Sequence, residues 1–133
     1  MNWITWNEKQ ATGHSGMDQG HQRLVVLINQ LAAAMENNKS REFCSNALEQ
    51  LILAIRIHFL AEDQLMDRIR YPQAKEHKAL HATLVKDVLA IKASYDAAET
   101  AELVSLPVVL GSWLEHDVIA ADKALADFVA GAG

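Results

Sequence analysis

A histidine and a carboxylate stand four residues apart at His58 and Glu62, inside an otherwise apolar stretch of the chain. A second pair with the same spacing follows at His77 and His81, and a further histidine, His21, precedes both pairs. Residues four apart project from the same face of an α-helix, so each pair would present both side chains to one side. Imidazole and carboxylate ligands together suit transition metals, iron among them. The types and spacing of these residues therefore predict a metal site, provided that the helical faces meet.

Four stretches of apolar residues with helical spacing would carry these side chains. Steps of three and four residues predict amphipathic helices at about 18–37, 40–69, 72–95 and 104–129. Ser40 is placed to cap the second helix and Pro72 to open the third. Four such helices with short connections predict an all-α, up-down-up-down four-helix bundle. Residues 1–17 show no sustained period, so we expect an extended N-terminal arm that belongs to the same single domain, residues 1–133.

Composition excludes several classes of protein. The chain has 133 residues, half of them hydrophobic, and a formal net charge of −5. An acidic chain of this kind is not expected to bind nucleic acid, because phosphate binding needs clustered Lys and Arg. No apolar run is long enough to span a membrane. The N-terminus does not resemble a secretory signal, and the single Cys44 cannot form an internal disulfide, so we expect a cytoplasmic protein.

The histidines and Glu62 all fall on the inward faces of the predicted helices. Leaving them buried without partners would be costly, since each unpaired polar group costs roughly 1–3 kcal/mol. A single histidine on an apolar face is more often a hydrogen-bonded core residue than a ligand. The occurrence of such groups on three helices favours metal coordination, which would satisfy them together. In helical bundles, carboxylates of this kind can bridge two iron ions.

Three motifs resemble those of the hemerythrin family. The central one is HFLAEDQLM followed by YPQAKEHKALH, the first is ITWNEKQATGHSGMDQGHQRL, and the last is WLEHDVIAADKAL. Together they cover nearly the whole chain. The resemblance implies a four-helix bundle with a non-haem di-iron centre, its ions joined by an oxo or hydroxo bridge. It also implies reversible binding of O2 or a related diatomic ligand, for storage, delivery or sensing.

The resemblance further implies a role for each residue of the site. The histidines would divide into one pair for each iron ion, His21 with His58 and His77 with His81. Glu62 would bridge the ions, and Asp122 matches the second bridging carboxylate because it keeps the family's spacing from Trp113. The neighbouring Asp63 is expected to face solvent. In the family, apolar residues wall an oxygen pocket, and their counterparts here are Leu24, Ile28, Phe59, Met66, Trp113 and Leu114.

The last motif departs from the family pattern at its histidine. The position of the family's fifth histidine falls on Asp117, and His116 stands one residue early. In a regular helix whose inward face is centred on Leu114, Asp117 lies about 60° from the centre and His116 on the outward side. These angles favour Asp117 as a metal ligand. A one-residue π-bulge before Asp122 would favour His116 instead.

A carboxylate at this position would change the chemistry of the centre. Added negative charge stabilises ferric iron, which is typical of di-iron oxidases and of sites that accept manganese or a mixed-metal pair. The alternatives to an O2-binding protein are therefore a di-iron redox enzyme, such as an oxidase, a peroxidase or a nitric-oxide-handling protein, and a metal-holding bundle. We favour the O2-binding protein over an enzyme. The sequence indicates neither a protein partner nor an oligomeric state.

Overall fold

The computed structural model describes residues 5–6, 8–97 and 106–132. A short 3-10 helix (Glu8–Gln10) is followed by three long helices: α1 (Ser15–Glu36), α2 (Arg41–Ile69) and α3 (Ala74–Asp96). The fourth helix of the bundle has three parts: α4 (Leu106–Trp113), a π-helical segment (Leu114–Val118) and α5 (Ile119–Ala132). Helix α1 packs against α2 and α4, and α2 packs against α3. The described residues include no strand, so the predicted all-α four-helix bundle is confirmed.

Polar side chains cap the first two helices. His14 Nδ1 accepts a hydrogen bond from the Met17 backbone N–H at 3.2 Å, so α1 begins at Ser15, a little before the predicted start. The Ser40 hydroxyl accepts one from the Phe43 N–H at 3.1 Å, which is the cap predicted from the sequence. The predicted start of the fourth helix near 104 lies outside the described residues, as do residues 1–4 and 7 of the arm.

Hydrogen bonds join the described part of the arm to Asp18 of α1. Its Oδ1 accepts hydrogen bonds from the backbone N–H and the hydroxyl of Thr12, both at 2.8 Å. Burial raises the pKa of Asp18, but these bonds and one from Gly13 lower it more, so it lies below its usual value. The Trp6 ring packs against the core, with its centroid 6.5 Å from that of His21. The arm therefore reaches the interior next to a predicted ligand.

The interior of the bundle consists of two apolar clusters with a polar layer between them. On α1, His21 lies in this layer, between Met17 of the smaller cluster and Leu24 of the larger one. The buried members of the smaller cluster are Met17, Met66, Tyr71, Leu125 and Ala126. The larger cluster draws on all four helices of the bundle. Apolar packing on both sides of the layer holds the polar side chains in place.

The π-helical segment shows that the expectation of a regular helix around Asp117 is wrong. The Ile119 N–H donates to the Leu114 carbonyl five residues earlier, the pattern of a π-turn. In a regular helix, Asp122 would be turned about 80° from Leu114; with one residue absorbed by the π-turn, the difference is about 20°. Leu114 is 1% exposed and Asp122 is 0% exposed. The π-turn thus brings Asp122 onto the inward face.

The described helices do not meet the requirements of a membrane span. A span needs about 20 consecutive, mostly apolar residues. None of the helices in residues 5–6, 8–97 and 106–132 is both long enough and apolar enough to cross a bilayer.

Candidate metal centre

Six of the predicted ligand residues meet in the polar layer, and all six are buried. They are His21 from α1, His58 and Glu62 from α2, His77 and His81 from α3, and Asp122 from α5. Their potential ligand atoms form two groups, each within 4.8 Å. One group contains His21 and His58, the other contains His77 and His81, and both contain Glu62 and Asp122. Two groups that share two carboxylates suit a carboxylate-bridged pair of metal ions.

Glu62 directs its two oxygens at different histidines. Its Oε2 lies 2.7 Å from Nε2 of His58, one turn earlier on the same helix. Its Oε1 lies 3.0 Å from Nε2 of His77 and 3.0 Å from Nε2 of His81. The spacing of four residues on α2 and on α3 places these groups on facing sides of two neighbouring helices. Glu62 therefore stands between the two groups.

Asp122, from α5, divides its two oxygens between the histidines in the same way. Its Oδ2 lies 2.5 Å from Nε2 of His21 and 3.2 Å from Nε2 of His58. Its Oδ1 lies 3.1 Å from Nε2 of His77. Each oxygen thus faces one of the two groups, which is the orientation that a bridging carboxylate needs.

Several polar atoms of this cluster are buried without a hydrogen-bond partner. They are His21 Nδ1, Glu62 Oε2, His81 Nε2 and Asp122 Oδ1. Three of them approach a neighbouring ligand group closely, but without the angles of a hydrogen bond. Buried polar atoms in proteins nearly always have partners, and each unsatisfied one costs about 1–3 kcal/mol. Nitrogen and oxygen ligands that need a common partner fit a pair of transition-metal ions such as iron.

The carboxylates determine the charge of the histidines in the metal-free protein. Burial lowers the pKa of His58, but its hydrogen bond with Asp122 and the nearby charges of Asp122 and Glu62 raise it more, to about 9. The pKa of His77 is raised to about 9 by the same balance. Burial raises the pKa of Asp122, but hydrogen bonds from its histidine partners hold it well below its usual range. In the metal-free protein, His58 and His77 are thus protonated at neutral pH beside the ionised Asp122.

One contact around the ligands differs from the sequence prediction for Asp63. This side chain is 33% exposed, but its Oδ1 accepts a hydrogen bond from Nδ1 of His81 at 2.9 Å. The expectation that Asp63 faces solvent therefore holds only in part, because the side chain also bonds to His81. Asp63 follows Glu62 on the side of α2 that faces α3. The sequence did show that Asp63 lies beside the ligand face of α2. Its partner, His81, could not be predicted, because that contact depends on how α2 and α3 pack.

Gly20 is a second residue whose role the sequence prediction missed. A Cβ at this position would lie 2.3 Å from Nδ1 and 2.8 Å from Cε1 of His58. The absence of a side chain on α1 thus makes the space that the imidazole from α2 occupies. Glycine inside a helix costs about 1 kcal/mol relative to alanine. Its occurrence next to His21 was therefore a signal of close packing.

The predicted pocket-wall residues surround the cluster with apolar surface. Leu24, Ile28, Phe59, Met66 and Leu114 are buried, and Trp113 is partly buried. The Phe59 ring stacks on the His81 ring, with a centroid distance of 3.9 Å and an interplanar angle of 5°. The Trp113 ring lies 6.2 Å from Phe59. These contacts limit the access of water to the ligands.

The structure does not bring Asp117 or His116 into the cluster. Both residues lie in the π-helical segment, both are exposed, and neither belongs to a ligand group. The choice between them as a further ligand stays a prediction. The residues that the structure brings together supply four imidazoles and two carboxylates.

A four-helix bundle with this cluster defines a class of proteins that hold a dinuclear metal centre. Residues 12–127 match the Hemerythrin HHE cation binding domain, and all six clustered residues fall within this range. The chain belongs to the hemerythrin family, and the resemblance inferred from the motifs is confirmed.

Individual relatives cover most of the chain. A bacteriohemerythrin of Stenotrophomonas maltophilia (strain R551-3) is 26% identical over 129 residues, which are 97% of this chain and 83% of the relative. A bacteriohemerythrin of Pseudomonas aeruginosa (strain LESB58) is 28% identical over 131 residues, with the same shares covered. A myohemerythrin of Theromyzon tessulatum is 27% identical over 88 residues, 66% of this chain and 68% of the relative.

Proposed function

We propose that this protein is a non-haem di-iron protein that binds O2 reversibly, for storage, delivery or sensing. The observation that carries the proposal is the sharing of Glu62 and Asp122 by both groups of buried ligands. Independent mononuclear sites would not need two common carboxylates. Membership of the hemerythrin family supports the same function.

The ligand assignment follows the two groups. His21 and His58 would hold one iron ion, His77 and His81 the other, and Glu62 and Asp122 would bridge them. When bound, the iron pair supplies the electrons that hold O2. The same nitrogen and oxygen ligands also accept manganese. The bound metal therefore has to be identified before any assay with oxygen is interpreted.

The chain itself orients the ligands and excludes water. Phe59 covers one face of the His81 imidazole, and Leu24 and Leu114 belong to the apolar cluster that adjoins the polar layer. An apolar environment that excludes water strengthens the electrostatic interactions between the ligands and a bound cation. It also limits hydrolysis and proton leakage at the centre. These properties favour reversible binding over turnover.

The test is a visible-absorption titration with oxygen. The protein is loaded with iron, reduced under nitrogen, exposed to O2 and then purged with nitrogen. We expect an absorption band that appears with O2 and fades on purging through repeated cycles. A stable ferric spectrum after the first exposure, or no change at all, would contradict the proposal. Glu62→Gln is the matched control, because it removes the bridging charge at nearly constant side-chain volume and should abolish the band.

The alternative of a redox enzyme rested on a carboxylate ligand at Asp117. That side chain is exposed and lies outside both ligand groups. The exposed position of Asp117 supports the O2-binding protein over the oxidase. Steady consumption of a reductant or of peroxide by the iron-loaded protein would nevertheless identify an enzyme and overturn the assignment as an O2-binding protein.

A further inference from the structure

His81 is contacted at both of its ring nitrogens. Its Nδ1 forms a 2.9 Å hydrogen bond with Oδ1 of Asp63. Its Nε2 has no hydrogen-bond partner and lies 3.0 Å from Oε1 of Glu62, inside the second ligand group. Asp63 and the candidate metal site thus touch opposite ends of one buried imidazole.

We propose that Asp63 is a positioning residue of the metal centre, acting through His81. By accepting the Nδ1–H bond, Asp63 selects the tautomer that keeps the Nε2 lone pair free for a metal ion. A carboxylate acceptor on the far nitrogen also makes the imidazole a stronger donor. The inference rests on the proposed di-iron function, because it gives His81 the role of a ligand.

Packing and hydrogen bonding fix different degrees of freedom of this ring. The Phe59 ring lies parallel to it at 3.9 Å, which holds the plane of the imidazole. Stacking alone would still allow a 180° flip about the Cβ–Cγ bond, which exchanges Nδ1 with Cδ2 and Nε2 with Cε1. The bond to Asp63 opposes this flip, because the flipped ring would have no N–H at the same place. The two contacts together leave one orientation, with Nε2 inward.

Asp63 also connects the site to the surface of the protein. It lines, together with His81, a groove of about 700 Å³ between α2 and α3. Removing its negative charge would weaken the donor at His81 and make the oxidised state of a bound ion less stable. The reduction potential should therefore respond to this residue, although it lies outside the ligand groups.

A neighbouring carboxylate provides a matched control. Asp67 is one helical turn further along α2, is 65% exposed, and pairs with Lys78 of α3 at 2.5 Å. Asp67→Asn removes the same charge from the same face of α2 without touching a predicted ligand. Asp63→Asn retains a hydrogen-bond acceptor but no charge, and Asp63→Ala removes both.

The experiment measures Co2+ affinity and the reduction potential of the iron-loaded protein in the wild type and the three variants. Visible absorption of bound Co2+ reports its coordination and requires no oxygen chemistry. We expect Asp63→Ala to weaken Co2+ binding about 10–100-fold, the usual range for a lost partner of a ligating histidine. Asp63→Asn should bind Co2+ more tightly than Asp63→Ala and should shift the potential upward. Asp67→Asn should match the wild type in both measurements.

Asp63→Asn decides the outcome even where Asp63→Ala fails to fold. A potential and a Co2+ affinity equal to those of Asp67→Asn would overturn the role of Asp63. If that occurs while O2 binds reversibly, only the inference about Asp63 fails. If the wild type binds Co2+ and iron but does not bind O2 reversibly, the proposed function fails and the comparison of variants still stands. A wild type that binds neither metal overturns both.

Discussion

The carboxylates that belong to both ligand groups have the largest expected effect among single residues. Asp122 contacts histidines of both groups through its two oxygens. Its removal would leave the protonated His58 and His77 with Glu62 as their remaining carboxylate neighbour in the cluster. His116 and Asp117, by contrast, contribute to neither group and are exposed.

We therefore expect Asp122→Ala to lose both iron ions, whereas Asp117→Ala and His116→Ala keep the iron content of the wild type. Metal analysis after loading and desalting measures the difference. Circular dichroism in parallel shows whether each variant is folded. Loss of iron in Asp117→Ala would restore that residue as a ligand, as the sequence predicted. Loss of iron in His116→Ala would mean that the histidine turns inward when metal binds.

Gly20 gives a prediction about space rather than charge. Alanine at this position would place a methyl group 2.3 Å from Nδ1 of His58, so the imidazole has to move. We expect Gly20→Ala to reduce iron affinity at least tenfold, the lower end of what disturbing a ligating histidine costs. Iron titration followed by absorption measures the affinity.

Gly131 is the control for this substitution. It lies in α5, and a Cβ there would meet nothing within 4 Å. Gly131→Ala should leave iron binding unchanged and stabilise the fold by up to about 1 kcal/mol, the gain of alanine over glycine in a helix. Full iron affinity in Gly20→Ala would show that His58 has room to move aside.

At the scale of elements, the π-helical segment decides which way α5 faces. It absorbs one residue between Leu114 and Asp122, so the two flanking α-helical parts keep a common inward face. Deleting one exposed residue from the segment should convert it into a regular α-helical turn. The flanking helices would then keep their orientation.

We expect deletion of Glu115 to preserve iron binding and the thermal unfolding temperature to within a few degrees. Glu115 is exposed, and its removal leaves Leu114 and Asp122 about 20° apart around the helix. The control is deletion of Ala61, an exposed residue between His58 and Glu62 in regular α-helix. That deletion rotates one ligand by about 100° relative to the other and should abolish iron binding. Loss of iron in both deletions would mean that the π-turn itself contributes to the site.

The elements also show which parts of the structure were accessible from sequence. The pair His77 and His81 could be predicted because its spacing and its helix are local properties of the chain. The π-turn was one of two open alternatives for the fourth helix, because one extra residue in a turn leaves no clear mark on the apolar periodicity. The Asp63–His81 bond and the approach of Gly20 to His58 depend on how two helices pack. The spacing of motifs along the chain does not by itself predict such contacts between helices.

At the scale of the whole molecule, the polar layer links metal binding to stability. Without metal, the pKa values of His58 and His77 are both raised to about 9, so these two histidines are protonated at neutral pH. A histidine whose pKa is higher in the folded than in the unfolded protein stabilises the fold while it is protonated. This stabilisation is fully present below pH 6.5, the pKa in the unfolded protein, and is lost as the pH rises through about 9. The lowered pKa of Asp122 also stabilises the fold. This contribution is present above pH 3.8, the usual pKa of an aspartate, and is lost only at more acidic pH.

We therefore expect the metal-free protein to become less stable between pH 6.5 and pH 9. One pKa unit corresponds to about 1.4 kcal/mol, so the free energy of unfolding should fall by more than that amount. Urea unfolding followed by circular dichroism at several pH values measures it. A constant or rising free energy over this interval would show that the histidines are neutral in the metal-free fold.

Metal binding should reverse this trend, because a ligating imidazole has to be deprotonated and bound metal takes the place of its proton. A ligand that binds only the folded state stabilises it by about 2.7 kcal/mol at 100 times its dissociation constant. Since metal affinity rises as His58 and His77 lose their protons, the stability difference between Co2+-loaded and metal-free protein should widen as the pH increases from 6.5 to 9. Thermal unfolding at fixed Co2+ concentration measures this difference, and Asp122→Ala is the control in which we expect no widening. A difference that does not depend on pH would show that the metal binds elsewhere than among the histidines of the polar layer.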